Sequence, residues 1–396
     1  MCDGVTDEKE KEKSAKMKKM AIGWLSLFFS LLCVSCGPAE KTGGQANRDI
    51  SPVLTYSHSM ELSCARRFSV DHYEEGYALI TIADDSRYLL VPEGMEEPKE
   101  LAEDIIILRQ PLGKIYLSAS AVMDMFVAVD ALDQVRFSSL KAEGWYIEEA
   151  REAMETGDIL YAGKYSSPDY ERIVSEGCSL AVENTMIYHT PEVMEQLQRF
   201  EIPVLVDYSS YEADPLGRTE WVKLYGLLTG KEKEAEEAFA EQIEAFSSIQ
   251  KEEASGKTAA FFYITTNGEA NVRKSSDYLP KMIALAGGTY VPERLGEEDA
   301  ASSTMTMQME EFYAAAKDAD YLIYNSTIDG ELFSIEELTN KSSLLKNFRA
   351  VQEGNVFCTT KNLYQSSMEL GTLIRDIHHM LAGEEEELTY LYRLEE

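Results

Sequence analysis

"PDYERIVSEGCSLAVENTM", residues 168–186, holds one full unit of the fold's rhythm. An acid-led helix runs to Gly177, a short apolar strand follows in "SLAVEN", and a polar loop begins at Asn184 and Thr185. Residues 309–327, "MEEFYAAAKDADYLIYNST", repeat that order and end on a loop with Asn325 and Thr327. The echo is weak letter by letter, yet it argues for two similar lobes facing one another. Strands that alternate with helices build parallel α/β sheets.

The same alternation extends outward from both units. Upstream lie strand "KIYLS" (114–118), helix "AVMDMFVAVDAL" (121–132) and strand "GDILYAG" (157–163). Downstream come helix "TPEVMEQLQRF" (190–200), with Pro191 at its first position, strand "IPVLVDY" (202–208), and "DPLGRTEWVKLYGLLTG" (214–230), read as one closing helix. Residues 231–252 set Ala235, Ala238, Phe239, Ile243, Phe246 and Ile249 at helical spacing among charges, the pattern of a long amphipathic connector. The rhythm restarts with strand "KTAAFFYIT", helices "YLPKMIALAG" and "QMEEFYAAAKDA", strands "DYLIYNST" and "GNVFCTT", and a last helix "MELGTLIRDIHHML". Before residue 104 the texture differs: "RFSVDHY", "GYALITIA" and "RYLLVPEG" read as short antiparallel strands.

At the start, Lys18 and Lys19 precede an uncharged run, Ala21 to Val34, and the chain then turns polar after Cys36. A positive region followed by a short apolar stretch reads as a secretory signal, too short and one-sided for a membrane span. Leu32, Val34 and Ser35 before Cys36 resemble a bacterial lipobox, although Cys33 stands where Leu is usual. That resemblance implies cleavage before Cys36 and lipidation of its sulfur. Residues 1–16 are charged and carry no apolar segment, so translation is expected to start at Met17. The expected layout is a signal segment over 1–35, a lipid-anchored flexible tether over 36–55, and an N-terminal lobe with a preceding β-rich extension over 56–230. A connector helix over 231–252 and a C-terminal lobe over 253–396 complete it.

The chain has 396 residues, 44% of them hydrophobic, and a formal net charge of -33. Such acidity opposes nucleic-acid binding, because phosphates demand a basic face. Cys64, Cys178 and Cys358, with Cys36, are too few and scattered for a disulfide framework, and Cys178 and Cys358 read as buried thiols.

These features together resemble a known family over residues 105 to 382. The lipobox, "PDYERIVSEGCSLAV", "IPVLVDYSSY", "PLGRTEWVKLYGLLTGKEKEAEEAF" and "FRAVQEGNVFCT", in this order, are similar to the class III solute-binding proteins of ABC importers. That group delivers iron–siderophore complexes, haem and cobalamin. Cys178 and Ser179 depart from its usual Pro-Asp. The resemblance implies two Rossmann-like lobes, a connector helix with limited hinge motion, and a ligand cleft between the lobes.

Ligands of open α/β sheets bind beyond the carboxyl ends of the strands. The loops expected there supply Ser118, Ser120, Tyr161, Lys164, Tyr165, Glu183, Asn184, Met186 and Tyr211 from the first lobe. The second contributes Thr265, Asn267, Arg273, Asn325, Thr327, Asn362 and Tyr364. This aromatic and amide-rich inventory suits a large, flat or chelated ligand. Arg273 is a candidate partner for a ligand carboxylate, or an exposed loop arginine. The resemblance also implies docking to the permease through one acid per lobe, Glu171 and Glu310, with Glu311 an adjacent alternative.

Enzyme readings fare worse. Gly256-Lys257-Thr258 is the tail of a phosphate loop, but Lys251 stands where the first glycine belongs and a strand follows. Neither a Gly-x-Ser-x-Gly elbow nor a His-Glu-x-x-His pair is present. Met186 and His189 are candidate axial ligands for haem iron, against ordinary packing at the start of the next helix. His378 and His379 read as one core-facing ring and one exposed ring.

The expected function is capture of a ferric-siderophore-type chelate by a monomeric, lipid-anchored receptor for an ABC permease and its ATPase, with no resident metal or cofactor. Alternatives are a cobalamin or haem receptor of the same fold, and a surface sensor or adhesion lipoprotein.

Overall fold

The computed structural model describes residues 48–249, 254–293, 295, 303–384 and 388–396. The signal segment, Cys36 and most of the tether lie outside the described residues. Residues Asp49–Glu396 form one compact unit. It begins with a five-stranded sheet: β1 (Tyr56–Ser59), β2 (Phe68–Tyr73), β3 (Ala78–Ile82), β4 (Arg87–Val91) and β5 (Ile105–Arg109), adjacent in that order. The first four pair antiparallel, as the turn-punctuated sequence suggests, whereas β5 joins β4 in parallel. Both faces are covered. Phe68, Val70, Ile80 and Leu90 share a core with Leu117, Trp221 and Tyr225, while Tyr73, Tyr77, Leu79 and Leu89 close over Ile50 on the other side. Double burial matches the mostly apolar β3 and β4, in which only Thr81 and the starting Arg87 are polar.

The first lobe's sheet holds β6 (Ile115–Leu117), β7 (Val135–Ser138), β8 (Leu160–Tyr161), β11 (Ala181–Asn184) and β12 (Val204–Asp207). Its order is β12-β11-β6-β7-β8, all parallel. A two-residue hairpin, β9 (Gly163–Lys164) with β10 (Ser167–Pro168), follows β8. The opening motif therefore forms helix Tyr170–Ser175, capped by the Asp169 carboxylate on the Arg172 N–H, and then β11.

In the second lobe β13 (Thr258–Ile264), β17 (Tyr321–Tyr324) and β18 (Val356–Thr359) form the parallel centre. Strands β14 (Ala270–Arg273), β16 (Thr304–Met307) and β19 (Leu391–Arg393) add antiparallel edges, and the short β15 (Thr289–Tyr290) runs beside the start of β13. Gly256-Lys257-Thr258 leads straight into β13. Sequence reading did not name the three antiparallel strands, the parallel β5 and β7, or the helices Glu148–Thr156 and Ile335–Lys341.

One expectation needs correction. Residues 214–230 form two helices, Pro215–Glu220 and Val222–Thr229, that meet at Trp221. At the junction Trp221 keeps helical φ/ψ (-60°, -19°), and the buried Glu220 carboxylate accepts backbone N–H groups of Ser63, Cys64 and Ala65 at 2.7–2.8 Å, binding the first helix to the extension.

The connector, Glu232–Ile249, belongs to both lobes. Ala235 and Phe239 lie in the first core, Phe246 and Ile249 in the second. Each buried phenyl contributes about 1.5–3 kcal/mol. Two glycines let neighbouring helices approach it closely. A Cβ on Gly226 would lie 2.4 Å from the Ala235 Cβ, and one on Gly371 2.8 Å from the Ala245 Cβ.

Candidate functional site

The carboxyl ends of β6, β11 and β12 and those of β13, β17 and β18 carry the loops nominated from sequence. On the first lobe the Asn184 side chain accepts the Met186 N–H at 2.9 Å, capping the short turn Thr185–His189. That turn leaves Met186 47% and Tyr188 42% exposed, and neighbouring Tyr211 is 37% exposed. The phenols are oriented by hydrogen bonds: the Tyr211 hydroxyl lies 3.0 Å from the Thr185 hydroxyl, Tyr208 donates to Tyr188 at 3.1 Å, and Tyr188 donates to Asp84 at 2.6 Å. The extension thus reaches the loop through Asp84, which lies in the β3–β4 turn.

Ser118 and Glu183 lie beneath this surface rather than on it. Both are buried, and hydrogen bonding from Ser118 only partly offsets the burial of the Glu183 carboxyl. Burial pushes the Glu183 carboxyl up to about 8. Ser120 opens a single turn, Ser120–Val122. Tyr161 ends β8 with the Lys141 ammonium 5.8 Å above its ring, Lys164 is exposed on β9, and Tyr165 is half-buried.

On the second lobe four nominated residues form one network. Arg273 donates to the Tyr364 hydroxyl, Asn325 Nδ2 donates to the same oxygen at 2.9 Å, and the Thr327 hydroxyl donates to Asn325 Oδ1 at 2.5 Å. Arg273 is neither free nor fully exposed: its guanidinium lies 3.6 Å from the buried Asp277 carboxylate and 5.3 Å from the Tyr364 ring. Thr265 and the exposed Asn267 lie in the β13–β14 turn, and Asn362 accepts the Thr360 hydroxyl at 2.6 Å. Ile328, beside Thr327, is 60% exposed, so this lobe also presents apolar surface at its strand ends.

Sequence reasoning missed the residues that bring the lobes together. The Gln365 carboxamide accepts the Tyr146 N–H and donates to the Gly144 carbonyl, both at 2.8 Å. Ser367 donates to the Ala121 carbonyl at 2.6 Å, and Asp124 accepts the Met368 N–H at 2.7 Å. Arg218 stacks on Tyr278 at 3.9 Å, and Lys281 pairs with Asp214. Single polar residues of this kind leave no periodic or motif signal.

Glu171 stands exposed in the first turn of helix Tyr170–Ser175, and Glu310 and Glu311 stand exposed in the first turn of Met309–Ala316. Two cavities are found among the described residues. One of about 270 Å³ lies between the extension and β12, lined by Asp84, Tyr88, Ile106, Tyr188, Met194 and Val204, so it abuts the Tyr188–Asp84 contact, and one of about 230 Å³ lies beside His378. His378 is buried with Nδ1 3.0 Å from the Ala286 carbonyl, and His379 is half-buried. Among the described residues no group of three or more His, Cys, Asp or Glu is arranged to hold a metal.

No protein-family model matches the chain. An uncharacterised lipoprotein of Methanocaldococcus jannaschii is 22% identical over 385 residues, covering 88% of this chain and 89% of its own. A periplasmic haem-binding protein from Pseudomonas aeruginosa superposes with a TM-score of 0.55 at 14% identity, covering 71% of this chain and 98% of its own. An ABC-type Fe3+-hydroxamate transport protein from Saccharomonospora viridis gives 0.51 at 20% identity, covering 68% and 92%. The fold is that of the class III periplasmic binding proteins, with two lobes of mixed α/β structure. These structural neighbours are transport binding proteins, not enzymes.

Proposed function

We propose that the chain is the extracytoplasmic ligand-capturing component of an ABC importer, anchored by lipid at Cys36, which delivers a ferric-siderophore-type chelate to its permease. The observation that carries this reading is exposed apolar and aromatic surface in the strand-end loops of both lobes. One exposes Met186, Tyr188 and Tyr211; the other exposes Ile328 beside the Arg273–Tyr364–Asn325 network. Broad apolar and aromatic surface with a few fixed donors suits a bulky chelate. The lipobox resemblance and a relative named as a lipoprotein support the anchor. Glu171 and Glu310 are the proposed contacts to the permease.

Haem is the second reading, favoured by the exposure of Met186 on the same turn as the exposed His189 and by the haem-binding neighbour. A thermal-shift panel of ferric siderophores, cobalamins and haem separates the cargoes. A ligand at a hundred times its Kd adds about 2.7 kcal/mol of stability. One class raising the midpoint names the cargo; silence across the panel overturns the chelate reading in favour of a sensor or adhesion role.

A further inference from the structure

The extension is fixed to the first lobe at the loops that follow β11 and β12, the strand ends at which open α/β sheets bind their ligands. The Glu212 carboxylate, directly after Tyr211, accepts the backbone N–H groups of Arg66 and Arg67, both at 2.8 Å. Asp84, in the β3–β4 turn, holds the other loop, and its two oxygens divide the work. Oδ1 accepts the Ser86 N–H at 3.0 Å, while Oδ2 accepts the Tyr188 hydroxyl at 2.6 Å. A carboxylate bonded to the backbone two residues on is fixed by its own turn, so its second oxygen is presented in one direction.

The contacts continue across both loops. Tyr208 donates to the Tyr188 oxygen at 3.1 Å, its ring lies 5.7 Å from that of Tyr211, and the Tyr211 hydroxyl lies 3.0 Å from that of Thr185. The circuit starts in the extension, crosses the β12 loop and returns to the β11 loop. Beside it lies the cavity of about 270 Å³, lined by Asp84 and Tyr188 themselves with Met194, Gln198 and Val206. The Tyr188 phenol therefore has room to turn, and its hydrogen bond to a charged group, stronger than a neutral one, decides where it stands. The family resemblance begins at residue 105 and gives the extension no role. We propose that the extension belongs to the ligand-capturing apparatus, with Asp84 as a positioning residue that holds Tyr188, and through it Tyr208 and Tyr211, in the arrangement the cargo meets. This rests on the capture reading above and adds to it a residue from outside both lobes.

The test is hydrogen–deuterium exchange of the full chain, read at the Met186 and Tyr211 amides, which bond to the Asn184 side chain and the Tyr208 carbonyl. Asp84→Ala and Tyr188→Phe should each speed exchange there by about tenfold, the scale of one hydrogen bond to a charged group. The double variant should exchange no faster than either single one, a coupling that general weakening of the extension would not produce. Asp104→Ala, which removes an exposed acid elsewhere in the extension, should leave both amides unchanged. Tyr188→Phe keeps the ring and decides the matter if Asp84→Ala does not fold. Binding of ferric desferrioxamine B and of haemin is measured alongside, and a probe that binds the wild-type chain should bind both variants about tenfold more weakly. Failure of both probes to bind the wild-type chain counts against the chelate reading, while the exchange rates still decide on Asp84. Exchange unchanged in Tyr188→Phe, or a probe held equally well by wild type and Asp84→Ala, overturns the proposal.

Discussion

The side-chain amide of Gln365 lies against the backbone between Gly144 and Tyr146, giving one hydrogen to the Gly144 carbonyl and taking one from the Tyr146 N–H. Gln365 belongs to the second lobe and the 144–146 segment to the first, so one planar amide joins the lobes at two points. Neighbouring Ser367 and Met368 bond to Ala121 and Asp124 of the first lobe. Replacing Gln365 with Ala removes two neutral bonds, about 1–3 kcal/mol of lobe–lobe attraction. The expected result is a larger radius of gyration by small-angle scattering and ligand affinity about tenfold weaker, since each factor of ten corresponds to about 1.4 kcal/mol. An unchanged radius and affinity would show that the contact does not govern closure.

Glu183 gives a prediction about pH. Its carboxyl, raised to about 8 by burial, lies above the ordinary value of 4.5, so the native state keeps a proton that the unfolded chain releases. The stabilising effect of that proton is fully present below pH 4.5 and is lost as pH rises toward 8. Glu183→Gln keeps the shape without the charge. Thermal melts should show the variant more stable than wild type at pH 9 and much closer to it at pH 5. Parallel curves across that range would mean the buried carboxyl finds a partner that screens it.

These two residues also mark what the sequence could reveal. Glu183 was legible as a position, at the end of an apolar strand before a polar loop, but its side-chain direction was not. It is buried where the tyrosines Tyr116 and Tyr170 feel its charge. Gln365 carried no signal, because its role depends on a segment over two hundred residues earlier. Parallel strands and amphipathic helices advertise themselves through burial pattern, so the two-lobed α/β class followed from units such as 168–186 and 309–327. The antiparallel edges β14, β16 and β19 did not, because half-buried strands of three or four residues look like loops. The division of residues 214–230 into two helices at Trp221 had no signal in the sequence either, because Trp221 keeps helical φ/ψ and neither glycine nor proline stands there.

The connector's close contacts predict a compensating pair. Gly371→Ala places a methyl 2.8 Å from the Ala245 Cβ, with other neighbours at 3.7 Å or beyond. Overpacking of this kind costs about 1–3 kcal/mol. Ala245→Gly should relieve the clash while itself costing about 1 kcal/mol of helix propensity. Denaturant unfolding of the four members of the cycle should give a favourable coupling between the two substitutions. Simple additivity would show that the last helix shifts to make room.

Glu171, Glu310 and Glu311 separate docking from capture. All three are exposed at helix starts. Exposed acids at an interface mainly steer association and set register. Glu171→Lys should therefore leave ligand affinity and melting midpoint near wild type while lowering uptake into cells or permease-containing vesicles. Glu310→Lys and Glu311→Lys, made separately, decide which acid serves the second lobe, because only the one facing the permease should reduce uptake. Equal transport by all three variants would remove the docking assignment while leaving the binding role intact. Loss of ligand affinity in any of them would mean that the helix start is coupled to the cleft.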